Sequence, residues 1–169
     1  MKLCEVYQGE FYQDGIKKYS NYLPLSEVVD FKADLVYKGK RIVIKKVVNF
    51  NTYHIFIPVD IHSNIELLIR MKTVTNTVKN LFGKGSKVNG EYEYIGSEKL
   101  VDKILDNNKL VELISENDIF IEIRNSQIPS VLLRPFRGIE SLKKGEEYLQ
   151  ILYLLEKEVN EIGDFRKLQ

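Results

Sequence analysis

The stretch from Val28 to Met71, VVDFKADLVYKGKRIVIKKVVNFNTYHIFIPVDIHSNIELLIRM, constrains this chain more than any other. In DFKADLVY, Phe31, Ala33, Leu35 and Tyr37 alternate with polar Lys32 and Asp34, the period of two that a strand with one buried face requires. Gly39 marks a reversal in YKGKR, and RIVIKKVVNF returns as a second β-branched run. TYHIFIPV and NIELLIRM supply two more, the last with Ile65, Leu67, Ile69 and Met71 on one side and Glu66, Arg70 and Lys72 mostly on the other. The spacing predicts three or four consecutive antiparallel strands, with Ile42, Ile44, Ile55, Ile57, Leu67 and Ile69 buried.

Ahead of this run, Leu3, Tyr7, Phe11, Tyr19 and Leu23 recur at multiples of four, as one face of a helix would, and Pro24 would end it. Gly9 and Gly15 weaken that helix, and LCEVY reads equally as a strand. After the run, TVTNTVKNLF reads as a short helix and GKGSKVNG as a loop. This weakly patterned stretch is where a single globular domain of residues 1–169 would divide, if it does, into a meander lobe with the N-terminal helix (1–82) and a helix-rich lobe (91–169).

EYEYI alternates as a strand, with Tyr92 and Tyr94 on one side. Ser97 is placed to cap a helix carrying Leu100, Val101, Ile104 and Leu105, and a second helical piece carries Leu110, Val111, Leu113 and Ile114. DIFIEIR and IPSVLLR read as a strand pair around the turn NSQ, with Pro129 near the start of an edge strand. From Glu140 to Ile162 a closing helix bears Tyr148, Ile151, Leu152, Leu155, Val159 and Ile162 on one arc, with Leu149 and Leu154 outside it. The fold class is therefore α+β, an antiparallel β-meander followed by a strand-helix-strand-strand-helix unit.

The order of a GKR-type hairpin, a glycine-containing loop, EYEYIGSEKLVDKIL, the strands DIFIEIR and IPSVLLR and a closing amphipathic helix resembles an uncharacterised prokaryotic α+β domain family with no assigned activity. The likeness runs from about Leu35 to Val159 and brings with it no functional residue. It implies that similar proteins sometimes carry membrane-spanning helices before this domain.

Composition narrows the function classes. Twenty-five basic against 24 acidic side chains give a net charge of +1, which argues against a general electrostatic nucleic-acid binder. The single cysteine, Cys4, excludes an internal disulfide and fits a reducing compartment. MKLCEVYQGE reaches a glutamate at its fifth residue without an apolar core, unlike a signal peptide, and no apolar run approaches the ~18 residues of a membrane span. A cytoplasmic protein without a transmembrane segment is expected.

Few residues group in a way that suggests chemistry. His54, Asp60 and His62 form the one set of metal-ligand type, but a strand rising ~3.3 Å per residue separates His54 from Asp60 by about 20 Å unless the chain folds back at Pro58. GKGSK, Gly83 to Lys87, lacks the GK[ST]-helix order of a phosphate-binding loop. Cys4 has no histidine nearby, and Asp102 and Asp106 share a helix face with Lys99 and Lys103. Lys38, Lys40, Arg41, Lys45 and Lys46 concentrate positive charge on the first hairpin, an anion site if they converge and a guarded sheet edge if they do not.

No cofactor is called for. The reading that fits is a non-catalytic module that binds itself or a protein partner, with Leu149 and Leu154 as its interface. The alternatives are a small-molecule site or enzyme assembled only in the fold, around tyrosines and the Arg134/Arg137 pair, and a weak anion or nucleic-acid site on the basic hairpin.

Overall fold

A computed structural model describes residues 2–7, 9–12, 29–47, 52–60, 65–72, 86–124 and 128–164. The strands are β1 (Glu10–Tyr12), β2 (Val29–Tyr37), β3 (Lys40–Val47), β4 (Thr52–Pro58), β5 (Leu67–Met71), β6 (Ser86–Asn89), β7 (Tyr92–Gly96), β8 (Ile119–Arg124) and β9 (Ser130–Pro135). Among the described residues they form one nine-stranded sheet in the order β1-β2-β3-β4-β9-β8-β5-β7-β6, every neighbouring pair antiparallel. The helices are α1 (Lys2–Val6), α2 (Glu98–Asp106), α3 (Asn108–Ser115) and α4 (Leu142–Asp164). The architecture is α+β, and no described helix is long and apolar enough to cross a membrane.

Alternation along each strand decides which side the helices take. Ala33, Leu35, Ile42, Ile44, Ile55, Ile57, Leu67, Ile69, Ile119, Ile121, Val131 and Leu133 lie on one face, are buried, and join Leu100, Ile104, Leu110, Ile151 and Leu155 of the helices in one core. The six buried positions predicted from spacing are all in it. Lys38 and Gly39 both take positive φ, 49° and 77°, the backbone that a two-residue hairpin turn of the type matching strand twist demands. Three strands of the predicted meander, β2 to β4, therefore pair in sequence. The fourth does not: β5 lies between β8 and β7, because β9 takes the free edge of β4.

Two other expectations are corrected. The N-terminal helix stops at Val6, and the chain enters β1 instead of running on; Gly9 approaches β2 so closely that a Cβ there would lie 2.6 Å from the Asp34 carbonyl. The loop read into GKGSKVNG contains β6, joined to β7 by a turn whose Gly90 takes φ 57°. Residues 13–28, including the end of the predicted helix at Pro24, and the segment TVTNTVKNLF fall outside the described residues.

Helix α4 runs beside α1, α2 and α3 and over β4 and β9, so neighbours meet more than a single ~100° arc of it. Leu149 is consequently fully buried and Leu154 half-buried against the core, which removes the exposed apolar pair expected there. Gly145 admits α1 at close range, since a Cβ at that position would lie 2.6 Å from Leu3 Cδ1. Two polar clasps fix strand ends to α4. Lys40 Nζ meets the buried Glu156 Oε1 at 2.6 Å, an oxygen that also accepts from Asn160 Nδ2 at 2.6 Å. At the start of β8, Tyr92 Oη donates to the Asn117 carbonyl and accepts the Ile119 N–H, while Lys144 Nζ donates to Asn117 Oδ1 at 2.9 Å.

The buried isoleucines set the scale of stability: Ile44→Ala is expected to cost about 2 to 5 kcal/mol, read as a lower urea midpoint, and an unmoved midpoint contradicts this core. Burial also pushes the Tyr94 and Tyr148 phenols up to about 12, Tyr148 with help from Glu140 and Glu147. A phenol that holds its proton more tightly folded than unfolded stabilises the fold fully below its ordinary value of 10 and less as pH rises from about 10 to about 12. Equilibrium unfolding across that window should show stability falling, less steeply once Tyr94 is replaced by Phe.

Candidate functional site on the open sheet face

Residues of the opposite parity form a second face, on which no described helix packs. Strand register lines them into rows. Lys32 pairs with Lys45 and Lys45 with His54; one step beyond Ile55↔Leu133, His54 adjoins Arg134, which pairs with Phe120. One step beyond Ile69↔Ile121, Phe120 adjoins Arg70, which pairs with Glu93. Beside this row runs a more apolar one: Val43 pairs with Phe56, Phe56 with Leu132, Leu132 with Glu122, Glu122 with Leu68 and Leu68 with Ile95. Strands spaced ~4.8 Å carry the basic row roughly 24 Å from Lys32 to Arg70.

Cations lie over the aromatic rings of this face. The Arg134 guanidinium stacks 4.0 Å from the Phe120 centroid. Phe56 is approached by Lys45 at 5.5 Å and by Arg124 at 5.7 Å. Arg124 belongs to β8 and Phe56 to β4, with β9 between them, so the arginine crosses over β9. Leu132 is fully buried although it points away from the helices and stands apart from the main core. His54, edge-on to Phe56 at 6.0 Å, is buried in the same layer.

Carboxylates neutralise part of the charge. Asp34 accepts from Lys32 at 2.7 Å and Arg41 at 3.1 Å; burial raises its pKa, and those two partners outweigh burial and hold it below the usual carboxylate range. Glu122 meets Arg124 at 2.9 Å and Glu93 meets Arg70 at 3.0 Å. Among the described residues of β2 to β7, this face carries Lys32, Arg41, Lys45, Arg70, Arg124 and Arg134 together with Asp34, Glu93 and Glu122. Cation–π contact and in-plane N–H donors make such a surface suited to anions and to flat, electron-rich groups.

The five cations of the first hairpin do not converge. Lys38 sits over the Tyr37 and Tyr153 rings, and Lys40 is held by Glu156. Register places Lys46 on the helix-bearing face, while Arg41 and Lys45 are on the open one. Of the metal-type trio, His54 lies in the open face and Asp60 beyond the end of β4, its backbone N–H bonded to Asn160 Oδ1 at 3.1 Å. His62 falls outside the described residues, among which no group of three or more His, Cys, Asp or Glu is arranged to hold a metal. Lys40, Arg41 and Asp60 do line one shallow cavity of about 410 Å³ with Glu156 and Asn160.

The remaining candidates are structural. Cys4 is buried, and burial pushes its thiol up. Lys87 of the GKGSK segment is on β6 and bonds Asp102 of α2. Arg134 and Arg137 are not a pair: Arg137 is bound to Asp118 at 2.9 Å beyond the strand. Phe56, Phe120, Arg124, Arg70 and Glu93 had no motif to announce them. Their signal was the outward parity of strands whose inward residues were already evident, and it could be assembled only once β9 was known to pair with β4. No known protein family, curated protein or solved structure matches the chain.

Glu93 is fully buried, and its Oε1 has no hydrogen-bond partner among the described residues, so its charge depends on Arg70. Arg70→Met should therefore cost about 2 to 4 kcal/mol, and Glu93→Gln in that background should restore much of it. Urea midpoints in a double-mutant cycle measure this, and strictly additive costs would show the pair to be uncoupled.

Proposed function

We propose that the protein is a non-catalytic binding module whose contact surface is the open sheet face and whose ligand is anionic. The observation that carries this reading is the row of cations crossing the sheet, with Arg134 stacked on Phe120 and Arg124 and Lys45 on Phe56. Stacking fixes each cation at low entropic cost before a ligand arrives, so less is lost on binding than if long side chains had to be ordered. A binding role fits better than catalysis because the carboxylates pair with neighbouring arginines instead of converging on a common point with a nucleophile. The modest excess of positive charge suits a salt-sensitive, reversible contact.

Calorimetric titration with inorganic polyphosphate at low salt tests the reading. Micromolar binding is expected, weakened at least tenfold by Arg134→Glu combined with Arg124→Glu. Lys143→Glu, at an 87% exposed position on α4, should leave it unchanged. Equal losses in both variants, or no binding by the wild type, would contradict the assignment.

A further inference from the structure

We infer that the loop between β9 and α4 is a self-association surface, through which two copies of the chain pair about a two-fold axis; this goes beyond the anion-binding reading and does not depend on the sheet face. Phe136, the first residue of that loop, is 61% exposed, although aromatic rings are among the side chains that gain most from burial. The loop braces it there. The Phe136 N–H bonds the Asp118 carbonyl at 2.9 Å, and Arg137 Nε meets Asp118 Oδ2 at 2.9 Å. Gly138 follows at φ 76°, where a Cβ would lie 3.0 Å from Tyr53 Cε2, and its carbonyl accepts from Tyr148 Oη at 3.3 Å. A ring displayed on such a loop is ordered before a partner arrives, so less freedom is lost on binding.

The same loop lines a groove. Leu3 of α1, Ile139 and Leu142 give it apolar walls, Lys2, Glu140 and Ser141 a polar rim, and its volume is about 480 Å³. A cavity of ~150 Å³ takes a benzene ring, so a phenyl side chain fits with room for the backbone beside it. Phe136 does not fill the groove of its own chain, since it is exposed. Three residues span at most ~11 Å, so Phe136 and Ile139 belong to one patch. A patch that carries both a knob and a hole is self-complementary, as a two-fold interface requires. Charge agrees with this pairing. Arg137 and Asp118 flank the ring, and Glu140 and Lys2 flank the groove, so each ring seated in the other copy's groove brings Arg137 towards the partner's Glu140 and Asp118 towards the partner's Lys2.

Sedimentation velocity of the full chain over a range of concentrations reads the association. A reversible dimer with a Kd on the order of 10 to 100 μM is expected, as suits a contact built on two rings and their flanking charges. Phe136→Glu should weaken it at least about tenfold, while Val88→Glu, at another exposed apolar position, should leave it unchanged. Arg137→Glu and Glu140→Arg should each weaken it about three- to tenfold and together restore it. If Phe136→Glu does not fold, isotope-filtered NOE spectra of mixed labelled and unlabelled wild type decide, with contacts expected from the Phe136 ring to the partner's Ile139 and Leu142 methyls.

A chain that stays monomeric at every concentration would overturn the inference. So would a dimer indifferent to Phe136→Glu, a charge swap without rescue, or a dimer lacking those contacts between copies.

Discussion

Everything in this structure depends on the alternation of side chains in a single sheet, one face of which carries the described helices. Ile42, Ile44, Ile55, Ile121 and Leu133 must face the helices, because that is where burial of apolar area stabilises the fold. Once those positions are fixed, pleat geometry sends Arg41, Val43, Lys45, Phe56, Phe120 and Leu132 to the other side. A shift of one residue in any central strand would exchange the two sets, so the core that makes the protein stable also holds the candidate contact surface in register. The polar clasps of Tyr92 with Asn117 and of Lys40 with Glu156 then fix where β8 and the first hairpin begin.

A chain of nearly balanced charge can still present a basic face if its acids are spent elsewhere. Many carboxylates lie on the helices: Glu156 holds Lys40, Glu158 and Glu161 meet Lys103, and Glu147 meets Lys144. On the opposite face, cations outnumber acids among the described residues of β2 to β7, and Lys45, Arg124 and Arg134 lie over aromatic rings. Cation–π contact at Phe56 and Phe120 holds Arg124 and Arg134 close to the sheet, Arg124 while paired with Glu122.

The inward half of this arrangement was legible in the sequence because it depends on local period alone. Ile42, Ile44, Ile55, Ile57, Leu67 and Ile69 could be placed without knowing any strand's neighbour. Lys45 was visible only as part of a basic hairpin, since whether five nearby cations converge depends on parity and on partners such as Tyr153 and Glu156, distant in the chain. Phe56 and Arg124 are 68 positions apart and meet because β9 inserts between their strands; no local rule specifies that order. Leu149 misled for a related reason. An arc drawn on one helix does not know that α1, α2 and α3 flank it.

The claim that ties these observations together is that one parity of the central strands is the core and the other is the working surface. Mapping amide and side-chain chemical shifts during titration with polyphosphate tests it most directly. The account predicts that the largest changes fall on Lys45, Phe56, Phe120 and Arg134, with the inward methyls of Ile44, Ile55 and Ile121 and the length of α4 nearly still. Changes centred on α4, or on the hairpin turn at Lys38 and Gly39 with the open face silent, would contradict it.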